Sequence, residues 1–201
     1  MTRVLMTGFE PFADAPVNPS WDAVSLVARR WSGPAELITR ELPVEFGRGS
    51  RRLLEHVVAH TPDVVIAVGV AEGRRAITPE RIAINLRHAR IPDNGGRQPH
   101  HQPVVANGPA AHFTTLPIEE MVVAIQGVGV PAEESLSAGT YVCNDAFYAL
   151  QHHLRDLHVL SGFIHVPATQ DMNLGPDVFT LPVYRIADGL RAAIEAVVAR
   201  N

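Results

Sequence analysis

The chain has 201 residues, 46% of them hydrophobic, with a mean hydropathy of +0.06, which is enough apolar material for one sizeable core and a single domain over 1–201. A formal charge of −4, with no run of Lys or Arg long enough to track a phosphate backbone, speaks against a nucleic-acid partner. No segment approaches the roughly 18 uninterrupted apolar residues of a membrane span, so no membrane partner is expected.

The start, MTRVLMTGFEPF, meets Gly8 and Pro11 too soon for the apolar region of a signal peptide. Within it, Arg3 to Thr7 is a buried-strand candidate. Pro19 to Trp31 follows as a helix, with Asn18 as its cap and Pro19 in its first turn. Leu37 to Val44 reads as a strand, and Gly47 to His60 as a helix in which Leu53, Leu54, Val57 and Val58 recur at helical spacing. Asp63 to Val70, DVVIAVGV, is continuous, β-branched and bounded by Pro62 and Gly73, as expected of a central parallel strand covered on both faces. This βαβαβ order predicts an α/β layer fold with right-handed crossovers.

Arg81 to Ile91 reads as a strand or strand pair. Pro92 to Pro109, dense in turn formers, is a long loop. Ile118 to Gln126 reads as a helix, Val130 to Leu136 as a strand and Tyr141 to Leu157 as a helix. In the last, Phe147, Leu150, Leu154 and Leu157 form one buried stripe, leaving His152, His153, Arg155 and Asp156 facing water. Ser161 to Val166 is a further strand, and Pro182 to Arg200 closes the chain as an amphipathic helix.

Cys143 is the only cysteine, so the chain cannot form an internal disulfide, and a reducing cytoplasm fits it best. A lone cysteine is ordinarily a small buried hydrophobe. In the first turn of a helix, however, unpaired amides and the helix dipole would stabilise a thiolate, lowering its pKa from about 8.5, and the same amides could hold an oxyanion.

A thiolate nucleophile needs a base, and the base needs a group to orient it. His56, His60, His152, His153 and His158 fall on helix faces or exits, where a solvated role is the simpler reading. His100 and His101 are adjacent in a loop with no glutamate at metal-ligand spacing, so no metal is expected there. His165 lies at the end of an apolar strand, where α/β proteins gather their sites; position alone leaves it open between a half-buried packing residue and a base. Glu80, in TPER, reads by itself as a cap. The segment GVAEGR lacks GxGxxG spacing and GFEPF lacks the glycines of a phosphate cradle, so a nucleotide site has little support. Phe9 and Phe12 are either core residues or two rings able to sandwich a small flat ligand.

The segments VLMTGFEPF with NPSW, ITPERIAINLRHARIPDN, GPAAHFTTLPI, SAGTYVCN and GFIHVP, in this order between about residues 4 and 167, resemble the pyroglutamyl peptidases of the pyrrolidone-carboxylate type, a family of cytoplasmic cysteine peptidases. The resemblance implies a three-layer α/β/α sandwich with a twisted, mixed, mostly parallel sheet, commonly assembled as a homotetramer, with no metal or organic cofactor. It implies a triad of Glu80, Cys143 and His165 that removes an N-terminal 5-oxoproline residue from peptides through a thioester acyl-enzyme. Arg90 and the backbone N–H of Cys143 become the oxyanion stabilisers. Phe9 and Phe12 would flank the lactam ring, Asn18 would hold the loop or the substrate's amide region, and Ile91, Tyr141 and Val142 would line the rest.

Two departures from the family stand out. Val70 replaces the glutamine or leucine of many members, and ATQDM follows HVP where an aromatic residue and a further proline are usual. Two rival readings also remain: a nucleoside phosphorylase, which would need a phosphate site, and a non-catalytic binding protein that keeps a pyroglutamate-like pocket.

Overall fold

A computed structural model describes residues 1–200. Five strands form one mixed sheet in the order β2-β1-β3-β7-β4, in which only β4 runs antiparallel to its neighbour. The strands are β1 (Arg3–Phe9), β2 (Glu36–Leu42), β3 (Val64–Val70), β4 (Thr78–Pro79) and β7 (Leu160–Val166). A separate hairpin pairs β5 (Ile82–Ile84) with β6 (Ala111–Phe113). The helices are α1 (Pro19–Arg30), α2 (Arg48–His60), α3 (Ile118–Gly127), α4 (Val142–Leu154) and α5 (Val183–Arg200).

The sheet is the middle of three layers. Side chains alternate along a strand, so Val4 and Met6, Val64, Ile66 and Val68, and Ile164 and Val166 pack on α1, α3 and α5. Leu5, Val65, Ala67 and Phe163 face the other way, onto α2 and α4. Every side chain of Val64 to Val68 is fully buried, which is why that stretch is apolar without alternation. At the end of β1, Gly8 lets α1 press close: a Cβ there would stand 2.6 Å from the Trp21 backbone. Asn18 caps α1 as expected, accepting the Ser20 N–H at 3.1 Å, a contribution of about 1 kcal/mol.

Four sequence expectations need correction. Val130 to Leu136 is not a strand: its backbone pairs with the β4 region only in the single bridges Ile77 to Ala132 and Glu80 to Ser135. Arg81 to Ile91 forms only the three-residue β5, because Asn144 takes up the next backbone groups, donating to the carbonyls of Ile84 and Leu86. Helix α4 ends at Leu154, which leaves Leu157 exposed instead of closing the apolar stripe. His152 is half-buried, its Nδ1 3.0 Å from Nε2 of His112.

Candidate active site

The crossover from β1 through α1 to β2 covers one face and that from β2 through α2 to β3 the other, so β1 and β3 are neighbours whose connections leave in opposite directions. Crevices at such switch points, beyond the C-terminal strand ends, are where open α/β sheets bind ligands. A cavity of about 650 Å³ lies there, lined by Phe9 from the end of β1, Val70 from the end of β3, and Tyr141, Val142 and Cys143 from the start of α4.

His165 sits near the end of β7 on the same side as Phe163, so the two-residue period of the strand aims it toward α4. Its register partner on β3 is Gly69. The missing side chain at Gly69 is what admits the nucleophile candidate: a Cβ there would meet the Cys143 sulfur at 2.7 Å and the Phe163 ring at 2.9 Å. The thiol thus lies against β3 beside the strand that carries His165. No hydrogen bond joins Cys143 to His165 among the described residues.

Glu80 reaches the same place through the short antiparallel strand β4. Thr78 and Pro79 pair with His165 and Ile164, and the Glu80 N–H donates to the Phe163 carbonyl at 2.9 Å. The fully buried carboxylate then meets Nδ1 of His165 at 2.7 Å. Burial pushes Glu80 toward the neutral acid, but the hydrogen bond and charge of His165, together with the charge of Arg74, outweigh it and hold the carboxyl below its ordinary value. In the geometry itself the Ser135 hydroxyl donates to the Ser137 carbonyl and Glu80 Oε2 has no partner, so the favourable contacts are those of His165 and Arg74 on Oε1. For His165, burial outweighs the pull of Glu80 and lowers its pKa from 6.5, which favours a neutral imidazole. With an ionised carboxylate at Nδ1, the ring proton resides on Nδ1 and the Nε2 lone pair is free.

The expectation of a lowered thiol pKa is corrected. Cys143 is half-buried at the cavity wall, and burial, reinforced by the negative charge of Glu80, pushes its thiol up to about 12. Arg74 and the residue's own N–H act in the other direction and lose. Desolvation therefore outweighs the helix dipole, whose effect reaches about 1 kcal/mol at most exposed sites. The resting pair is a thiol beside a neutral imidazole.

The amides of Val142, Cys143 and Asn144 make no hydrogen bond to another residue's backbone among the described residues; the first intrahelical bond is Asp145 N–H to the Tyr141 carbonyl. These unpaired donors face the end of α4 that carries the sulfur. Arg90 is exposed on the cavity wall and forms no ion pair among the described residues. Phe9, Phe12, Ile91, Tyr141 and Val142 all line the cavity, and the ring of Tyr141 packs between Phe12 and Phe46 with centroids 5.3 and 5.1 Å away.

Asn18 is the exception among the expected substrate contacts. Its amide donates to the Glu10 carbonyl at 2.8 Å and its oxygen accepts from the Ser20 N–H and hydroxyl, so it holds the aromatic loop from behind and does not line the cavity. Sequence reasoning missed His88 and Arg74. His88 lines the cavity and packs against the rings of His100 and His101 at 5.4 and 4.4 Å, in reach only because the long loop folds back. Among the described residues no group of three or more His, Cys, Asp or Glu side chains is arranged to hold a metal ion. Val70 adds a purely apolar wall to the cavity.

A family model described as pyroglutamyl peptidase matches residues 2–200. The chain belongs to the pyroglutamyl peptidase family. Within that family it is 44% identical to a pyrrolidone-carboxylate peptidase of Aliivibrio fischeri, over 98% of this chain and 93% of that one. It is 46% identical to a pyrrolidone-carboxylate peptidase of Clavibacter michiganensis, over 99% and 94%. The fold superposes on a crystal structure of pyroglutamyl peptidase I from Bacillus amyloliquefaciens with a TM-score of 0.95 at 41% identity, covering 99% of this chain and 98% of the other. A pyrrolidone carboxyl peptidase variant from Pyrococcus furiosus gives 0.93 at 36% identity, covering 99% of each chain. This family fold is thus the three-layer, mostly parallel architecture expected from the sequence.

Proposed function

We infer that the protein is a cysteine exopeptidase that hydrolyses the amide bond after an N-terminal L-pyroglutamyl residue, with Cys143 as nucleophile, His165 as base and Glu80 as its orienting carboxylate. The observation that carries the residue assignment is the meeting of three elements at one point. The Cys143 sulfur lies in the gap left by Gly69, the register partner of His165, and His165 is gripped at Nδ1 by Glu80.

The reaction starts from neutral partners. As the sulfur attacks the pyroglutamyl carbonyl carbon, the thiol proton passes to Nε2 of His165 and the carbonyl π pair moves to oxygen. That oxyanion is held by the free N–H of Cys143 and by Arg90. Collapse of the tetrahedral intermediate breaks the C–N bond, and His165 returns its proton to the leaving amine. Water then attacks the thioester with His165 again taking a proton, which releases L-pyroglutamate and restores the thiol. Throughout, Glu80 keeps the imidazole oriented and stabilises its cationic form.

The lactam is a flat ring with one amide edge, matched by a cavity walled by Phe9, Phe12, Ile91, Tyr141 and Val142. An L-prolyl substrate places a charged secondary amine in that apolar space and is rejected, since an unpaired buried polar group costs about 1 to 3 kcal/mol. The test is an assay with L-pyroglutamyl and L-prolyl amides side by side: hydrolysis of the first alone supports this reading, and equal hydrolysis of both removes it.

The remaining features follow the same reading. The family match from residue 2 to 200 supports one domain over the whole chain. No helix is long and apolar enough to cross a membrane, and the single thiol suits a reducing cytoplasm. A homotetramer, as in the family, would cover some of the exposed side chains of Val58, Val123 and Tyr184.

A further inference from the structure

We infer that Arg74 is a positioning residue that fixes Glu80 to the nucleophile's loop and sets how readily the Glu80 and His165 pair takes up a proton. Arg74 lies in the turn after β3, its N–H donating to the Ala71 carbonyl at 3.0 Å. One arm of its guanidinium, Nη1, stands 2.7 Å from Glu80 Oε1, the same oxygen that His165 Nδ1 reaches at 2.7 Å, and also donates to the Thr78 hydroxyl. The other arm, Nη2, donates to the Ser137 carbonyl at 2.7 Å, in the segment that leads through Gly139 to Cys143. A single side chain thus joins the carboxylate, the strand β4 that carries it and the approach to the sulfur.

Two consequences follow. Mechanically, a planar fork with two occupied arms fixes direction in a way that a point charge does not. Electrostatically, a permanent cation shares Oε1 with the imidazole, so part of the carboxylate's charge is spent before His165 is protonated. Glu80 and His165 titrate as a coupled pair, and whichever of them takes the proton, removal of a neighbouring positive charge makes that uptake easier.

The other charged groups nearby do not replace Arg74. Cys143 approaches from α4 as a neutral thiol, and Glu72, His88 and Arg90 lie on the cavity wall. Arg81, next to Glu80 in sequence, turns outward to Glu134 and Glu119. Arg75 stacks over the Phe179 ring, with its guanidinium carbon 5.3 Å from the centroid.

The role rests on His165 being the base proposed above, and the experiment separates the two ideas. The acid limb of kcat/KM for an L-pyroglutamyl amide is measured for wild type, Arg74→Gln, Arg74→Met and Arg74→Lys, with His165→Ala as a control. The His165 ring protons are followed by NMR over the same pH range. Both neutral variants should move the acid limb and the NMR titration upward by about half to one pH unit, while Arg74→Lys, which keeps the charge, stays close to wild type. An unmoved titration in both neutral variants, or an equal move in Arg74→Lys, overturns the role of Arg74. Undiminished activity in His165→Ala would instead overturn the assignment of the base.

Discussion

The sulfur of Cys143 lies 2.7 Å from the point a Cβ on Gly69 would occupy, so the position of the proposed nucleophile depends on an atom that is absent. This contact links the centre of the sheet to the first turn of α4. Gly69→Ala should push both the sulfur and the Phe163 ring. Displacement of a reacting atom by about 1 Å costs on the order of 10²-fold in rate, and overpacking here costs about 1 to 3 kcal/mol of stability. Steady-state kinetics and urea unfolding of the purified variant measure both. Wild-type kcat/KM would show that the contact does not position the thiol.

The raised thiol pKa has its own signature. A cysteine stored as a thiolate is alkylated at a rate that levels off near neutral pH, whereas a thiol pushed up to about 12 should react with iodoacetamide about tenfold faster per pH unit up to pH 9. Mass spectrometry should find the label on Cys143, the chain's one cysteine. A plateau at pH 6 to 7 would point to a preformed ion pair with His165.

As the proposed base, His165 must be neutral to accept the thiol proton, and burial lowers its pKa from 6.5. The rate should therefore be flat through neutrality and fall only as the pH drops below that value, when the imidazole is already charged before substrate arrives. His165→Ala should lose roughly 10³-fold or more in kcat. Glu80→Gln should be milder, its loss smaller than that of His165→Ala by roughly tens of fold, because the attacking pair remains. Equal losses in the two variants would show that the carboxylate does more than orient.

Much of the fold was legible because its signals were local. The run from Asp63 to Val70 needed only its unbroken apolar character to be read as a central strand, and Asn18 followed by Pro19 marked the start of α1. Val130 to Leu136, VPAEESL, carried only a scattered apolar signal; its partner is a short segment around Ile77 and Glu80, and single bridges across such a partner make no ladder. Leu157 kept the helical spacing, but the helix had already ended. In the proposed site, Glu80, Cys143 and His165 came from the resemblance to the family and not from local pattern. The thiol's pKa was not legible because desolvation depends on packing that no local pattern records. Arg74 was not legible either, since its value lies in reaching Glu80 and Ser137 at once, six and sixty-three residues away.

One buried ion pair supports the site from below. Asp145, two residues after Cys143, is fully buried; it accepts from Arg87, from the Gly47 N–H at 2.9 Å and from the Ser50 hydroxyl at 3.0 Å, tying α4 to the start of α2. Asp145→Ala leaves these donors unmatched and should cost about 3 to 5 kcal/mol, visible as a lower urea midpoint. A change under about 1 kcal/mol would show that the network relaxes without it.

The most direct measurement is the turnover of an L-pyroglutamyl fluorogenic amide by the wild type and by Cys143→Ala, with circular dichroism confirming that both are folded. Hydrolysis by the wild type and none above background in the folded alanine variant is the expected result. Undiminished turnover without the sulfur would contradict nucleophilic attack by Cys143.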